Sequence, residues 1–326
     1  MPRPSSVNKV PADQVSFVLQ GPIGSSTKGC VESIRRHFPG AEIVVSTWQG
    51  SDADSLGADA VIYSVDPGGL EAGAVVGGGF VTNLNRQIVS ARAGLERSTR
   101  EWVVKTRTDI EWLGDGFLEA LVSYPAHGDS HILKERIVAC TRVSVDSRRA
   151  PYAMHVSDWV HAGRRDDVLR LWSAPLVDEE FAQYFATRDL PSSANLWGRG
   201  WYLRYAPEQY LLVNLVRNAG HPVPEHIWDV SRELTVETEK ILADNFILLE
   251  PDEFALRFTK YKWPVANWAN CYTSSEWRGL YKKYCEQRGF GVWRQVRRSL
   301  RDVGSWTLVS IRGSKILRKV LGKASI

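Results

Sequence analysis

The sequence predicts an α/β protein, a sheet covered by helices, with a helical basic extension at the C-terminal end. Three observations predict it. Short apolar runs rich in Val and Ile recur at 15–23, 41–48, 59–65 and 101–110, lengths that suit buried strands. Between them, at 28–38 and 82–97, apolar residues repeat at helical spacing, so strands and helices alternate as in a layered sheet-and-helix domain. Charge is divided unevenly: residues 282–326 hold 12 Lys/Arg against 2 acids, whereas 1–281 hold 29 against 35. A mildly acidic body therefore carries a strongly basic tail.

Taken in order, residues 1–13 contain no apolar stretch and are expected to form a disordered arm. VSFVLQGPI at 15–23 is a buried strand that runs into a turn at Gly21-Pro22. Ser26 or Thr27 is placed to cap a helix over 28–38, with Val31, Ile34 and Phe38 on one face. AEIVVSTW at 41–48 and DAVIYSV at 59–65 are the next strands, the second stopped by Asp66-Pro67-Gly68-Gly69. The glycine-rich stretch 67–80 is expected to be a flexible loop; it matches neither GxGxxG between strand and helix nor a P-loop. A helix over 82–97 buries Leu84, Ile88, Ala91 and Leu95. EWVVKTRTDI at 101–110 is a fourth strand, and alternation puts Lys105, Arg107 and Asp109 on one side of it. Further along, strands are expected at 135–143 and 155–163, and helices from Asp166 to Trp172, at 178–187 and at 207–218, the last with Pro207 in its first turn. The apolar FILL within 240–249 is a short strand, and 252–285 is helical in pieces.

Composition excludes several classes. At 44% hydrophobic and 24% charged the chain is globular, and a core of this size needs no disulfides. Cys30, Cys140, Cys271 and Cys285 form no CxxC pair, which points to reduced thiols of a cytoplasmic protein. The N-terminal residues contain no secretory h-region. The apolar runs fall far short of the ~20 residues a membrane span requires. There is no GxSxG elbow, HExxH or EF-hand pattern, and no nucleic-acid-binding module.

The residues able to do chemistry cluster at strand ends and helix starts. Ligands of open α/β sheets sit beyond the carboxyl ends of the strands, where Lys105, Arg107 and Asp109 fall. Asp109 suits a divalent cation, and Lys105 and Arg107 suit a diphosphate; the alternative is an ion pair among the three. Gln20 and Gly21, ending the first strand, offer a hydrogen-bonding side chain and a close backbone approach, or simply a turn. Asn83, Asn85, Arg86 and Gln87 open the second helix, where anions are favoured. Asp158, within HVSDW, lies beside large apolar residues that raise a carboxylate toward general-base range. Glu208, in APEQY, is a second candidate base or a partner of the helix dipole.

In this order and spacing, VSFVLQGPI, TKGCVESIRRHFPGAEIVVSTWQG, DPGG, NLNRQIVSARAGL, WVVKTRTDIEW, ERIVACT, HVSDWVHAG, PEQYLLVNLV and ILADNFILLEPDEF resemble the WavE lipopolysaccharide synthesis family over roughly 14–281. The resemblance implies a GT-A-like Rossmann-type mixed sheet flanked by helices. It also implies transfer of a sugar from a nucleotide-sugar to a lipopolysaccharide or related surface-glycan acceptor that is lipid-linked. Such folds commonly carry Asp-x-Asp after a central strand; here Arg107-Thr108-Asp109 stands in that place, so Mg2+ or Mn2+ on Asp109 is an open expectation. Donor contacts fall on Gln20, Gly21, Asn85, Arg86, Lys105, Arg107 and Asp109, and catalysis on Asp158 and Glu208. The alternatives are a non-catalytic nucleotide-sugar or glycan binding protein of the same fold, and a nucleotidyltransferase, whose basic glycine-rich stretch GPIGSST does not supply.

The tail, 282–326, interleaves Arg294, Arg297, Arg298, Arg301, Lys315, Arg318 and Lys319 with Trp293, Leu300, Trp306, Ile316 and Leu317. That pattern fits an amphipathic helix on an anionic membrane surface, placing the protein in the cytoplasm or on the inner face of the plasma membrane.

Overall fold

The structure is a computed structural model that describes residues 9–75, 78–194, 200–259 and 269–287. Its centre is a seven-stranded sheet in the order β10-β8-β9-β6-β1-β2-β3. The strands are β1 (Val15–Gln20), β2 (Glu42–Trp48), β3 (Ala60–Ser64), β6 (Trp102–Arg107), β8 (Ile137–Cys140), β9 (His161–Arg164) and β10 (Phe246–Leu249). Six of them run parallel, and β9 alone runs against its neighbours β6 and β8. The expected mixed sheet flanked by helices is thus the fold observed.

Helices cover both faces. Even-numbered residues of β1 face α2 (Leu84–Arg97): the Cβ that Gly94 lacks would stand 2.4 Å from Val18, and Ser90 Oγ donates to Gln20 Oε1 at 2.7 Å. Alternation turns Phe17 to the other face. There it meets Phe38, at the end of α1 (Thr27–His37), and Trp112 of β7 (Ile110–Trp112), with ring centroids 4.5 and 5.2 Å away. Next to α2, α4 (Arg165–Trp172) packs on β6 and β9, and α6 (Pro207–Asn218) packs on α4. β10 is covered by α7 (Arg232–Asn245) and α9 (Ser274–Tyr284).

Several expectations change. The stretch 67–80 forms a hairpin, not a loop: β4 (Leu70–Val75) pairs antiparallel with β5 (Gly78–Thr82). One of its glycines serves a close backbone approach. Gly73 bridges to Trp201 with φ +145°, and a Cβ there would lie 1.9 Å from the Gly200 carbonyl. The arm expected to be disordered over 1–13 is ordered from Lys9: Val10 is buried, and Lys9 pairs with Asp115 at 2.8 Å. The strands expected at 135–143 and 155–163 shorten to four residues each, and the helix at 178–187 to α5 (Glu179–Ala182). The boundary drawn at 281 falls inside α9, whose Tyr281 is buried. The basic residues 288–323 lie outside the described residues.

α7 has no counterpart among the elements expected from the sequence because the first half of its buried face is polar, and its buried apolar residues Ile241, Leu242 and Ala243 come only near its end. Thr235, Thr238 and Glu239 are buried, and Glu239 accepts from Arg148 Nε at 2.6 Å and Tyr284 Oη at 2.8 Å. Its start is signalled locally: Ser231 accepts from the Leu234 amide at 3.1 Å, an ordinary N-cap. At its end, Asp244 accepts from the amides of Gly128 and Ser130, and Asn245 from those of Ile132 and Leu133. These two side chains fasten the 126–133 loop to β10.

Candidate functional site

The chain leaves β1 outward to β2 and β3 and returns to β6 on β1's other side. That reversal opens a crevice at the carboxyl ends of β1, β2 and β6, where ligands of such sheets bind. A cleft of about 820 Å³ occupies it. Its floor is Gln20 and the turn Gly21-Pro22-Ile23-Gly24, leading into Ser25-Ser26-Thr27 at the start of α1. Gly21 has φ +121°, a conformation that favours glycine, and its amide donates to the Ser46 carbonyl at 3.0 Å. Thr27, expected as a helix cap, instead accepts from the Gly24 amide at 3.0 Å and so shapes the turn. Thr108 Oγ1 fixes the other side of the turn by donating to the Pro22 carbonyl at 2.7 Å.

Two arginines stand over this floor. Arg107, at the end of β6, donates from Nε and Nη2 to the two oxygens of Asp109 at 2.8 and 2.6 Å. Each side chain keeps about one-fifth of its exposure. From the first turn of α2, Arg86 donates in the same two-pronged way to Asp66 at 2.7 and 2.8 Å, with Nη1 on Asn83. This pairing holds Asp66 below the usual carboxylate range and raises Arg86. Trp48, Asp66, Asn83, Gln87 and Thr259 also line the cleft. Trp48 and Asp66 carry a weak signal in the sequence, each being the residue at which an apolar strand gives way to a turn.

Of the nine residues expected at the site, Gln20, Gly21, Arg86, Arg107 and Asp109 border the cleft. Asn85 does not: it is buried and exchanges two 2.8 Å bonds with the backbone of Val177. Lys105 does not either. It points to the same sheet face as Arg107, but two residues deeper. Its Nζ donates to the Asp158 carbonyl at 2.5 Å and lies 4.2 Å from the Trp172 ring centroid. Burial pulls this ammonium down to about 7.

Asp158 and Glu208 come together at a second place, reached by neither local motif alone. Burial, followed by the charge of Asp158, pushes Glu208 up to about 8. His155 Nε2 lies 3.9 Å from the Glu208 carboxylate, but burial lowers this imidazole to about 4, so it is neutral at pH 7. Desolvation and the neighbouring charge of Asp158 both favour the protonated form of the Glu208 carboxyl. Neither acid borders the 820 Å³ cleft; Lys105 lies between, sensing the charges of Asp158 and of Arg107 and Asp109.

All four cysteines are buried, with Cys30 and Cys140 pushed up to about 12, chiefly by burial. No described helix is long and apolar enough to cross a membrane.

Among curated proteins none matches the chain. Among solved structures it is similar to the mannosyltransferase PcManGT from Pyrobaculum calidifontis in complex with GDP-Man and Mn2+, at 17% identity and a TM-score of 0.32. That match covers 53% of this chain and 51% of the other, about half of each. The family model described as WavE lipopolysaccharide synthesis matches residues 15–308. Since β1 through α9 and every residue of the cleft fall within that span, the chain belongs to the WavE lipopolysaccharide synthesis family.

Proposed function

We propose that the protein is a glycosyltransferase that moves a sugar from a nucleotide-sugar to a lipopolysaccharide or related surface-glycan acceptor. The observation that carries this is the cleft at the carboxyl edge of the sheet, with a glycine turn as its floor and two arginines on its walls. Gln20 and Gly21 meet the nucleoside, and Trp48 offers the cleft an aromatic surface. Arg86 and Arg107 face the diphosphate. Negative charge grows on that leaving group as the glycosidic bond breaks, and fixed guanidinium charge there stabilises the transition state.

If the sugar centre is inverted, one base must take the proton of the acceptor hydroxyl. Asp158 is the candidate, with Glu208 carrying the neighbouring proton. Lys105 is a positioning residue in this scheme, holding the Asp158 backbone through its carbonyl. The basic segment 288–323 would bring the enzyme to an anionic membrane and so to a lipid-linked acceptor.

The test is turnover of UDP-, GDP- and CDP-sugars with a lipid-linked glycan acceptor, followed as nucleoside diphosphate release. Arg107→Ala should lower kcat/KM by about 100-fold or more. Asp158→Asn should lower kcat by about 100-fold while nucleotide binding persists. Full turnover in both variants removes the scheme. Loss of residues 288–326 should abolish binding to anionic vesicles and leave binding of the soluble nucleotide intact; unchanged vesicle binding removes the membrane role.

A further inference from the structure

Both carboxylates that border the cleft are already held by arginines. Asp109 has an oxygen on each of Nε and Nη2 of Arg107. Asp66 has the same with Arg86, and its Oδ1 also accepts from the Gly68 amide at 2.9 Å. Among the described residues, these two are the only acids lining the cleft. A hard dication draws its affinity from carboxylate charge and open oxygen lone pairs. Here each carboxylate charge is matched by a guanidinium at hydrogen-bond distance. Among the described residues, no three His, Cys, Asp or Glu side chains gather into a ligand set. The donor set therefore does not fit the Mg2+ or Mn2+ that the family resemblance implies.

What the cleft does present is two fork-shaped donors. A guanidinium pairs bidentately with phosphate in the same geometry as with carboxylate, and a diphosphate brings more charge than one aspartate. α1 starts at the cleft floor, and the first-turn amides of a helix have no intrahelical acceptor. We propose that a nucleoside diphosphate group binds by exchange and without a divalent cation. Arg86 and Arg107 turn from Asp66 and Asp109 to the phosphate oxygens. In the unliganded cleft the two aspartates keep the forks aimed and their charge balanced. The inference rests on the donor-site reading given above and names how that site takes its ligand.

Calorimetric titration of the full chain with pyrophosphate, UDP, GDP and CDP, first in EDTA and then in Mn2+, separates the cases. At least one nucleoside diphosphate should bind in EDTA, with Kd shifting by no more than about threefold on adding Mn2+. Asp109→Asn, which removes the competitor of the phosphate, should bind as tightly as the parent or more tightly. Arg107→Lys keeps the charge but not the fork and should weaken binding by about tenfold at an unchanged unfolding midpoint. Binding that is absent in EDTA and restored by Mn2+, or lost in Asp109→Asn, overturns the exchange mechanism and leaves the donor-site reading standing. No binding by any of the four probes in either buffer removes the donor-site reading, and the inference with it.

Discussion

Lys105 and Arg107 are two positions apart on one strand and meet opposite fates. Both point to the α2 and α4 side, as alternation requires, but one ends under Trp172 and the other at the cleft. Side is legible in a sequence, whereas depth depends on how far neighbouring elements extend over the strand. The same limit explains Asn85: its place in a polar helix start suggested a ligand, and a distant backbone at Val177 uses it. Glu208 illustrates the gain from structure, since its charged partner is fifty residues away in sequence. In the folded chain this carboxyl ionises near 8, against about 4.5 when unfolded. The folded state is therefore penalised as pH rises from about 4.5 through 8, and not below. Glu208→Gln should stabilise the protein by about 1–3 kcal/mol at pH 8.5 and by almost nothing at pH 4.5. Chemical denaturation at the two pH values measures this, and an equal effect at both would show that the group is not held protonated.

At the scale of elements, the contact of α2 with the sheet depends on one missing methyl. A Cβ at Gly94 would lie 2.4 Å from Val18 and 3.0 Å from Ser46. Gly94→Ala should push the helix off β1 and β2 and cost about 1–3 kcal/mol, read from urea unfolding. Gly73→Ala should act more locally: the new methyl meets the Gly200 carbonyl, and the left-handed φ is strained for alanine. Faster amide exchange over 70–82, with the sheet strands still protected, is the expected result; unchanged exchange would mean that the bridge to Trp201 does not hold the hairpin. These glycines also mark where sequence reading fell short. Periodicity located β1, β2, β6, α1, α2, α4 and α6, which bury apolar residues, and the half-buried edge strand β3. The hairpin was hidden because glycine that permits close approach is indistinguishable in composition from glycine in a loop. α7 was hidden because the first half of its inward face is threonine and glutamate, with Thr238 accepting from the Met154 amide and Glu239 from Arg148 and Tyr284.

For the whole molecule, two titratable groups, the buried Lys105 and the half-buried Glu208, oppose each other. Lys105 ionises near 7 when folded and at 10.5 when unfolded. Its burial cost is full below pH 7 and fades as pH rises to 10.5, the reverse of Glu208. Their combined penalty is greatest between pH 7 and 8. The unfolding midpoint should therefore dip in that window relative to its flanks, and Lys105→Met should gain more at pH 6 than at pH 10. A Lys105→Met effect independent of pH would show that the ammonium is not desolvated. The family span of 15–308 takes in both of these groups and both arginine pairs, which lie on three stretches of sequence, around Asp66, Arg86 and Arg107–Asp109.

The reversed direction of β9 decides what that edge contains. Parallel strands deliver only the loops that follow them to their carboxyl ends. A strand running the other way begins there, so the residues just ahead of His161, Asp158 and Trp159 among them, arrive at the same rim as Arg107. One inverted strand thus converts an entry loop into a neighbour of the exit loops, and brings an acid from the middle of the chain to the same end of the sheet as a cleft built chiefly by its first third.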